Sequence, residues 1–298
     1  MNYTKESVHI PVLLQASLQQ IQPKRGESYL DLTAGYGGHA GEFLRITENF
    51  ENSVLVDRDE NAIRTLQRFK NEGVEILHKD FLSAAKELVK RGQKFDIILA
   101  DLGVSSPQLD IAERGFSFRK DGPLDMRMNP AQKKTAADIV NFASKNELLQ
   151  ILIEFGEEKR GFAERIVSKI LEVRKKQRIE TTTQLADLIL SVHKGGWQKT
   201  HPATRTFQAI RIAVNNELQQ VEEVLELLPK LLNSGGRVGI ITFHSLEDKI
   251  VKNYFKDDSN KGLESKFQTI TKKPLDGAKE DVNNPRARSA KLRVSIRK

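Results

Sequence analysis

The chain reads as an α/β protein, a mostly parallel sheet with helices on both faces, interrupted by a second, mostly helical block. Three observations lead there. Short apolar runs at 29–33, 53–57, 74–78 and 95–101 alternate with polar stretches long enough for a crossover helix. From about residue 109 to 212 strand signals nearly vanish. An apolar run at 237–243 then resumes the sheet.

The first strand runs straight into Thr33-Ala-Gly-Tyr-Gly-Gly-His39. Glycines at the carboxyl end of a first strand let the backbone approach a ligand and face it with helix N-terminal amides. Gly35-x-Gly37-x-x-Ala40 satisfies the dinucleotide fingerprint, while a ligand-free tight turn has the same composition. The second strand ends in Asp57, 26 residues after Asp31. A carboxylate there can accept both hydroxyls of a ribose, whether of NAD or of S-adenosylmethionine. Asp57 and Asp59 also precede NAIRTLQRF, so one can cap that helix while the other binds. The third strand ends in Lys79-Asp80-Phe81, and Phe81 suits either an adenine face or the core. The fourth ends in Asp101-Leu-Gly-Val-Ser-Ser-Pro-Gln108, where doubly wound sheets bind ligands; the alternative is a loop built on Asx and Ser turns.

In the middle block, Ser144-x-x-Glu147 before LLQILIEF and Thr181-x-x-Gln184 before LADLIL are capping-box patterns. FAERIVSKILEVRKK between them has helical periodicity. A helical run at 224–232 and a Ser-Gly-Gly turn at 234–236 lead back into the sheet. Residues 267–271 and 292–296 are further strand candidates, expected to pair antiparallel at a sheet edge.

Composition narrows the class. With 30% charged and 38% hydrophobic residues the chain has material for a core, and it is neither collagen-like nor strongly disordered. The absence of cysteine rules out disulfides, thiolate metal sites and a cysteine nucleophile. The six histidines are scattered without metal-ligand spacing, so no metal is expected. No apolar run is long enough to cross a bilayer, and the N-terminus lacks a signal-peptide pattern, which together suggest a cytoplasmic address. The net charge is +8. Residues 261–298 hold eleven Lys/Arg against four Asp/Glu, densest at Arg286, Arg288, Lys291, Arg293, Arg297 and Lys298. Such a tail suits a polyanion, or else a solvated basic edge strand.

The stretch DLGVSSPQLDIAERGFSFRKDGPLDMRMNP closely resembles the central signature of the bacterial 16S rRNA (cytosine-N4) methyltransferase family. So do HIPVLL at 9–14, GGH at 37–39, FGEEK at 155–159, HPATRTFQAIRIAVNNEL at 201–218, SGGRVGIITFHSLEDKIVK at 234–252 and NPRARSAKLR at 284–293. The family's glycine turn often reads Thr-Leu/Phe-Gly-x-Gly-Gly-His-Ser; here Ala34 and Ala40 depart from it while Gly37, Gly38 and His39 are intact. The resemblance implies a class I S-adenosylmethionine-dependent methyltransferase fold, Rossmann-like with a seven-stranded sheet, over residues 1–108 and 213–298. It also implies an inserted helical domain at 109–212 that helps to recognise RNA. The implied reaction is N4-methylation of a cytidine in 16S rRNA of the 30S subunit, near the P site. Carried over as cofactor positions are Gly37, Gly38, His39, Asp57, Phe81, Asp101 and Gln108.

The exocyclic amine of cytosine shares its lone pair with the ring, so an acceptor beside it and in-line positioning are needed. Asp101 can face the amine, the cofactor's amino group or both; the expectation is cofactor first, with Ser105, Ser106 or a loop carbonyl nearer the base. A target base must leave its stack. Phe116 and Phe118 suit a pocket for it, or are two core phenylalanines at strand spacing. Arg114, Arg119, Arg127, Arg286 and Arg288 are candidate RNA contacts. His244 either lines the cleft or satisfies a strand end, and Trp197 either stacks on RNA or packs. Competing functions are a non-catalytic RNA-binding or ribosome-assembly protein, an NAD-dependent oxidoreductase, and action on DNA. A homodimer is left open.

Overall fold

The computed structural model describes residues 11–103, 109–196 and 200–298. The chain divides into two compact units, one up to Gly103 together with Leu218–Lys298, the other Val104–Glu217.

The first unit begins with α1 (Leu14–Ile21), β1 (Tyr29–Asp31), α2 (Gly38–Thr47), β2 (Val54–Asp57), α3 (Glu60–Lys70), β3 (Glu75–His78), α4 (Phe81–Lys90) and β4 (Phe95–Asp101). The second holds α5 (Ala136–Phe142), α6 (Lys145–Glu154), α7 (Arg160–Val173), α8 (Thr182–Ser191) and α9 (Ala203–Asn215). Then follow α10 (Glu217–Leu231), β5 (Leu232–Thr242), α11 (Ser245–Ser259), β6 (Phe267–Thr269), β7 (Leu275–Asp276), α12 (Gly277–Glu280) and β8 (Lys291–Arg297).

The strands form one sheet in the order β3-β2-β1-β4-β5-β8-β6, with the two-residue β7 also on β8. The pairs from β3 through β5 are parallel, and those made by β8 are antiparallel. Alternation along the strands divides the core between the two faces. Leu30, Val54, Ile98 and Val238 pack with Leu88 of α4, Leu225 of α10 and Phe255 of α11. Tyr29, Leu55, Ile97 and Ile241 pack with Ile21 of α1, Phe43 of α2 and Leu66 of α3. Strands buried on both sides read as continuous apolar runs, which is why they stood out in the sequence.

The boundaries differ in instructive ways. β1 stops at Asp31, and the Thr33 hydroxyl accepts a hydrogen bond from the Asp101 N–H at 2.6 Å. β5 starts at Leu232, so Ser234-Gly-Gly is absorbed as an irregularity, with the register to β4 shifting between Phe95 and Ile97 and Gly235 at φ +78°. β6 ends at Thr269, and beyond it the Thr271 hydroxyl accepts from the Val294 N–H.

The basic C-terminal segment is not a solvated edge strand: β8 lies inside the sheet, between β5 and β6. Arg293 is buried and forks onto Asp248 of α11 through Nε (2.7 Å) and Nη2 (3.1 Å), and Lys291 Nζ lies 3.3 Å from the same carboxylate. Arg297 donates to the Leu232 carbonyl. Burial alone would raise the Asp248 pKa, but Arg293 and Lys291 outweigh it and hold the carboxyl below its usual range. Arg286 and Arg288 are exposed.

In the helical unit the expected capping boxes form at Ser144/Glu147 and Thr181/Gln184, with a third at Thr135/Asp138. Two buried asparagines staple backbone across long sequence separations. Asn141 exchanges hydrogen bonds with both N–H and C=O of Ile179, and Asn215 accepts from the Met128 N–H while donating to the Met126 carbonyl. A buried backbone needs such partners where no ladder supplies them. The only pairing of strand type there, among the described residues, is the isolated bridge Pro123–Thr181.

Asp248→Ala leaves the buried Arg293 guanidinium without its anion. A loss of about 3 kcal/mol is expected, the low end for a broken buried pair, read as a lower urea midpoint at unchanged slope.

Candidate active site

The strand order reverses between β1 and β4, so the connections leaving their carboxyl ends run to opposite faces of the sheet, the place where doubly wound folds bind ligands in a crevice. Three adjacent strands in the order β2, β1, β4 each end in an aspartate, Asp57, Asp31 and Asp101.

Asp57 organises the glycine turn. Its Oδ2 accepts from the Gly35 N–H (2.8 Å) and its Oδ1 from the Asp59 N–H (2.7 Å). Each oxygen retains acceptor capacity that can meet hydroxyls. Asp59, rather than Asp57, caps α3 by accepting from the Asn61 N–H. So the two acids take separate roles. Burial raises the Asp57 pKa even against the two amide hydrogen bonds.

The turn needs its glycines. Gly35 and Gly37 have φ of +53° and +79°, and a Cβ on Gly37 would come within 2.5 Å of the Phe69 ring. A Cβ on Gly38 would meet Pro11 at 2.3 Å. Gly37 occupies the N-cap of α2 with no side-chain cap, so the first-turn amides of that helix are left to other partners. His39, in that first turn, is buried, with Nε2 3.0 Å from the Val12 carbonyl and Nδ1 3.9 Å from Asp101 Oδ2.

Asp101 is the pivotal acid. Its Oδ1 is buried without a hydrogen-bond partner. Burial, then Asp31, then Glu247, push its pKa well above the carboxylate range. Asp31 beneath it accepts from the Tyr29 hydroxyl (2.7 Å) and the Thr33 N–H (3.1 Å), yet burial lifts its pKa to about 7. Phe81 is half-buried in the first turn of α4, packed against the sheet core. His244 caps α11 by accepting from the Glu247 N–H, while Glu247 accepts from the Phe243 N–H and sits 3.1 Å from His244 Nε2. His244 thus satisfies a helix start at the end of β5.

The crevice gathers Gly37, Gly38, His39, Asp57 and Asp101 in one unit. Ser105, Ser106, Gln108 and Trp197 lie outside the described residues. In the helical unit Phe116 is buried in the core, and Phe118 packs edge-on to Phe207 and against His201. Phe116 belongs to the core of the helical unit, and Phe118 is partly buried against it. Arg114 donates to the Arg127 and Met128 carbonyls, and Arg127 is forked on Asp125. Both arginines bind their own chain, whereas Arg119 is exposed. Sequence reasoning passed over Asp31, Thr33 and Glu247. An acid inside an apolar strand signalled the first, and the His244-x-x-Glu247 spacing of a helix start signalled the last.

A glycine turn after β1, an acid ending β2, an orphaned acid ending β4 and an antiparallel strand inserted beside β5 define a class I methyltransferase dependent on S-adenosylmethionine. The donor set suits that cofactor, a cation with a ribose diol and an amino group. Residues 6–298 match the model of the MraW methylase family, and the chain belongs to this family. It is 43% identical over 301 residues to Ribosomal RNA small subunit methyltransferase H of Acidobacterium capsulatum, covering 97% of this chain and 98% of that protein. The protein of the same name from Caldicellulosiruptor bescii is 45% identical over 305 residues, covering 96% and 98%. No helix among the described residues is long and apolar enough to cross a membrane.

The proton held by Asp31 makes stability depend on pH. Its pKa is about 7 in the fold and about 3.9 in an unfolded chain, so the folded state binds the proton more tightly. This contribution is fully present below about pH 4 and is lost as pH rises through about 7. Asp31→Asn should remove it. Between pH 4 and 7 the urea midpoint of the wild type should fall relative to that of the variant, and parallel curves would refute the assignment.

Proposed function

We propose that this protein transfers the methyl group of S-adenosylmethionine to N4 of a cytidine in 16S rRNA of the small ribosomal subunit, near the P site. The observation that carries this reading is the near-full-length similarity to proteins named for small-subunit rRNA methylation.

The bound cofactor supplies a methyl group already activated on a sulfonium. The chain's own residues therefore bind, orient and handle one proton. Asp57 accepts the ribose hydroxyls with the lone pairs its two amide donors leave. Gly37 and Gly38, packed closely against Phe69 and Pro11, shape the turn that faces the cofactor, and His39 lines it. Phe81 flanks the adenine, and Gln108 completes the set. Asp101 receives the cofactor's amino group first, and Ser105, Ser106 or a loop carbonyl stand nearer the base. Burial favours the protonated form of Asp101, so it can take up the proton released on methylation only as the carboxylate, the form that the positive charge of the bound cofactor would favour. The helical domain serves RNA recognition, and the exposed Arg119, Arg286 and Arg288 offer phosphate contacts.

The test is methyl transfer. Purified protein and labelled S-adenosylmethionine are incubated with 30S particles lacking the modification, beside naked rRNA and DNA, and labelled nucleosides are mapped by mass spectrometry. One N4-methylcytidine in the rRNA is expected, reduced by about 100-fold or more in Asp101→Ala. Cofactor binding without transfer to any substrate would sink the enzyme reading in favour of a non-catalytic RNA-binding role.

A further inference from the structure

The last residue of α5, Phe142, presents an aromatic ring to solvent, 67% exposed. The Arg178 guanidinium lies over this ring, 5.1 Å from its centroid. Arg174 Nη1 donates to the Val140 and Ala143 carbonyls, capping the same helix end. Both arginines belong to one turn between α7 and α8, Arg174-Lys-Lys-Gln-Arg178, four cations in five residues, with Lys175 and Lys176 exposed. Phe142 also lines a groove of about 400 Å³ with Lys133 and Lys134.

Two acids share that groove, and each is committed to its own helix start. Asp138 Oδ2 accepts from the Thr135 N–H and hydroxyl, and Glu147 Oε2 accepts from the Ser144 N–H. Glu180 stands 3.9 Å from Arg178 Nε with both side chains more than half exposed, a pairing worth little in water. Glu172 is held by Lys169. The exposed surface is thus one aromatic face, one stacked guanidinium and four lysines, which outnumber the ionised Asp138 and Glu147. A single ring among cations offers too little apolar area for an amphipathic helix. It matches the base-and-phosphate pattern of an unpaired nucleotide, since every base has a face that stacks on aromatic and guanidinium planes.

We infer that this end of the helical unit docks a single-stranded segment of the RNA substrate. An unpaired base stacks on Phe142 beside Arg178, and Lys133, Lys134, Lys175 and Lys176 contact the neighbouring phosphates. The inference rests on the proposed rRNA methyltransferase function and adds where that RNA is gripped.

The experiment measures equilibrium binding of the full-length protein to 30S particles lacking the modification, together with kcat, KM and cofactor affinity. Phe142→Ala should weaken particle binding and raise KM by about 10-fold, the scale of one lost base–aromatic stack. kcat, cofactor affinity and the thermal midpoint should not move, and Phe142→Trp should restore binding. Reversing charge with Lys175→Glu and Lys176→Glu should weaken binding and flatten its salt dependence. Unchanged binding in Phe142→Ala would overturn the inference, whether or not the charge reversals act. So would loss of self-association in Phe142→Ala at unchanged RNA affinity, which would mark a protein interface. A wild type that methylated no RNA would overturn the proposed function, while weaker binding of Phe142→Ala would still support the stacking site.

Discussion

The carboxylate of Asp57 fixes the local geometry on which the crevice depends. By accepting from the Gly35 and Asp59 amides it ties the turn after β1 to the end of β2. That tie sets where α2 begins, and therefore where Gly38 and His39 stand. A second tie, the Asp101 N–H to the Thr33 hydroxyl, joins the other side of the turn to β4. Both depend on the parallel register in which Asp31 lies opposite Leu55 and Leu99.

These ties concentrate negative charge at an unfavourable place. Asp57, Asp31 and Asp101 end three neighbouring strands, and burial raises the pKa of each. Asp31 is raised further by Asp57, and Asp101 by Asp31. A well-packed sheet has no stability reason to keep this cluster, and the unpartnered Asp101 Oδ1 adds to the cost. The physical answer is a ligand that carries positive charge and hydrogen-bond donors, which S-adenosylmethionine does. Conflict within the fold is then what makes the site receptive, a pattern expected where function overrides stability.

Much of this was legible in the sequence because local rules and tertiary demands agreed. β4 falls exactly at 95–101, since its neighbours bury both faces along its whole length. The boxes at Ser144 and Thr181 formed because a cap needs only residues three apart. The antiparallel pairing of 267–271 with 292–296 was legible too, but the partners of single charged side chains were not. Arg293 read as part of a basic tail because nothing local announces that Asp248, 45 residues earlier, will neutralise it. Arg114, Arg127, Phe116 and Phe118 sit in a motif rich enough in polar and aromatic residues to suggest RNA. In the fold Phe116 is buried, and the Arg114 and Arg127 guanidiniums bind carbonyls and a carboxylate of their own segment. The exposed Phe142 gave no signal, since one phenylalanine in an amphipathic helix looks like core.

The fate of these cations changes how the net charge of +8 bears on RNA. Charge raises affinity for a polyanion only where phosphates can reach it, and a guanidinium buried against a carboxylate contributes nothing to counterion release. Arg293 and Arg127 are removed from that count by Asp248 and Asp125. Arg114 and Arg297 are removed in part by backbone carbonyls. The turn Arg174–Arg178 keeps Lys175 and Lys176 exposed, and no acid within it offsets them. Its Arg178 is half-shared with an aromatic ring, which leaves the charge intact while fixing a plane on which a base can lie. The acidic strand ends belong to the sheet unit and this basic turn to the helical unit. The acidic strand ends that suit a cationic cofactor and the cationic turn proposed to grip RNA thus each carry the charge opposite to their ligand.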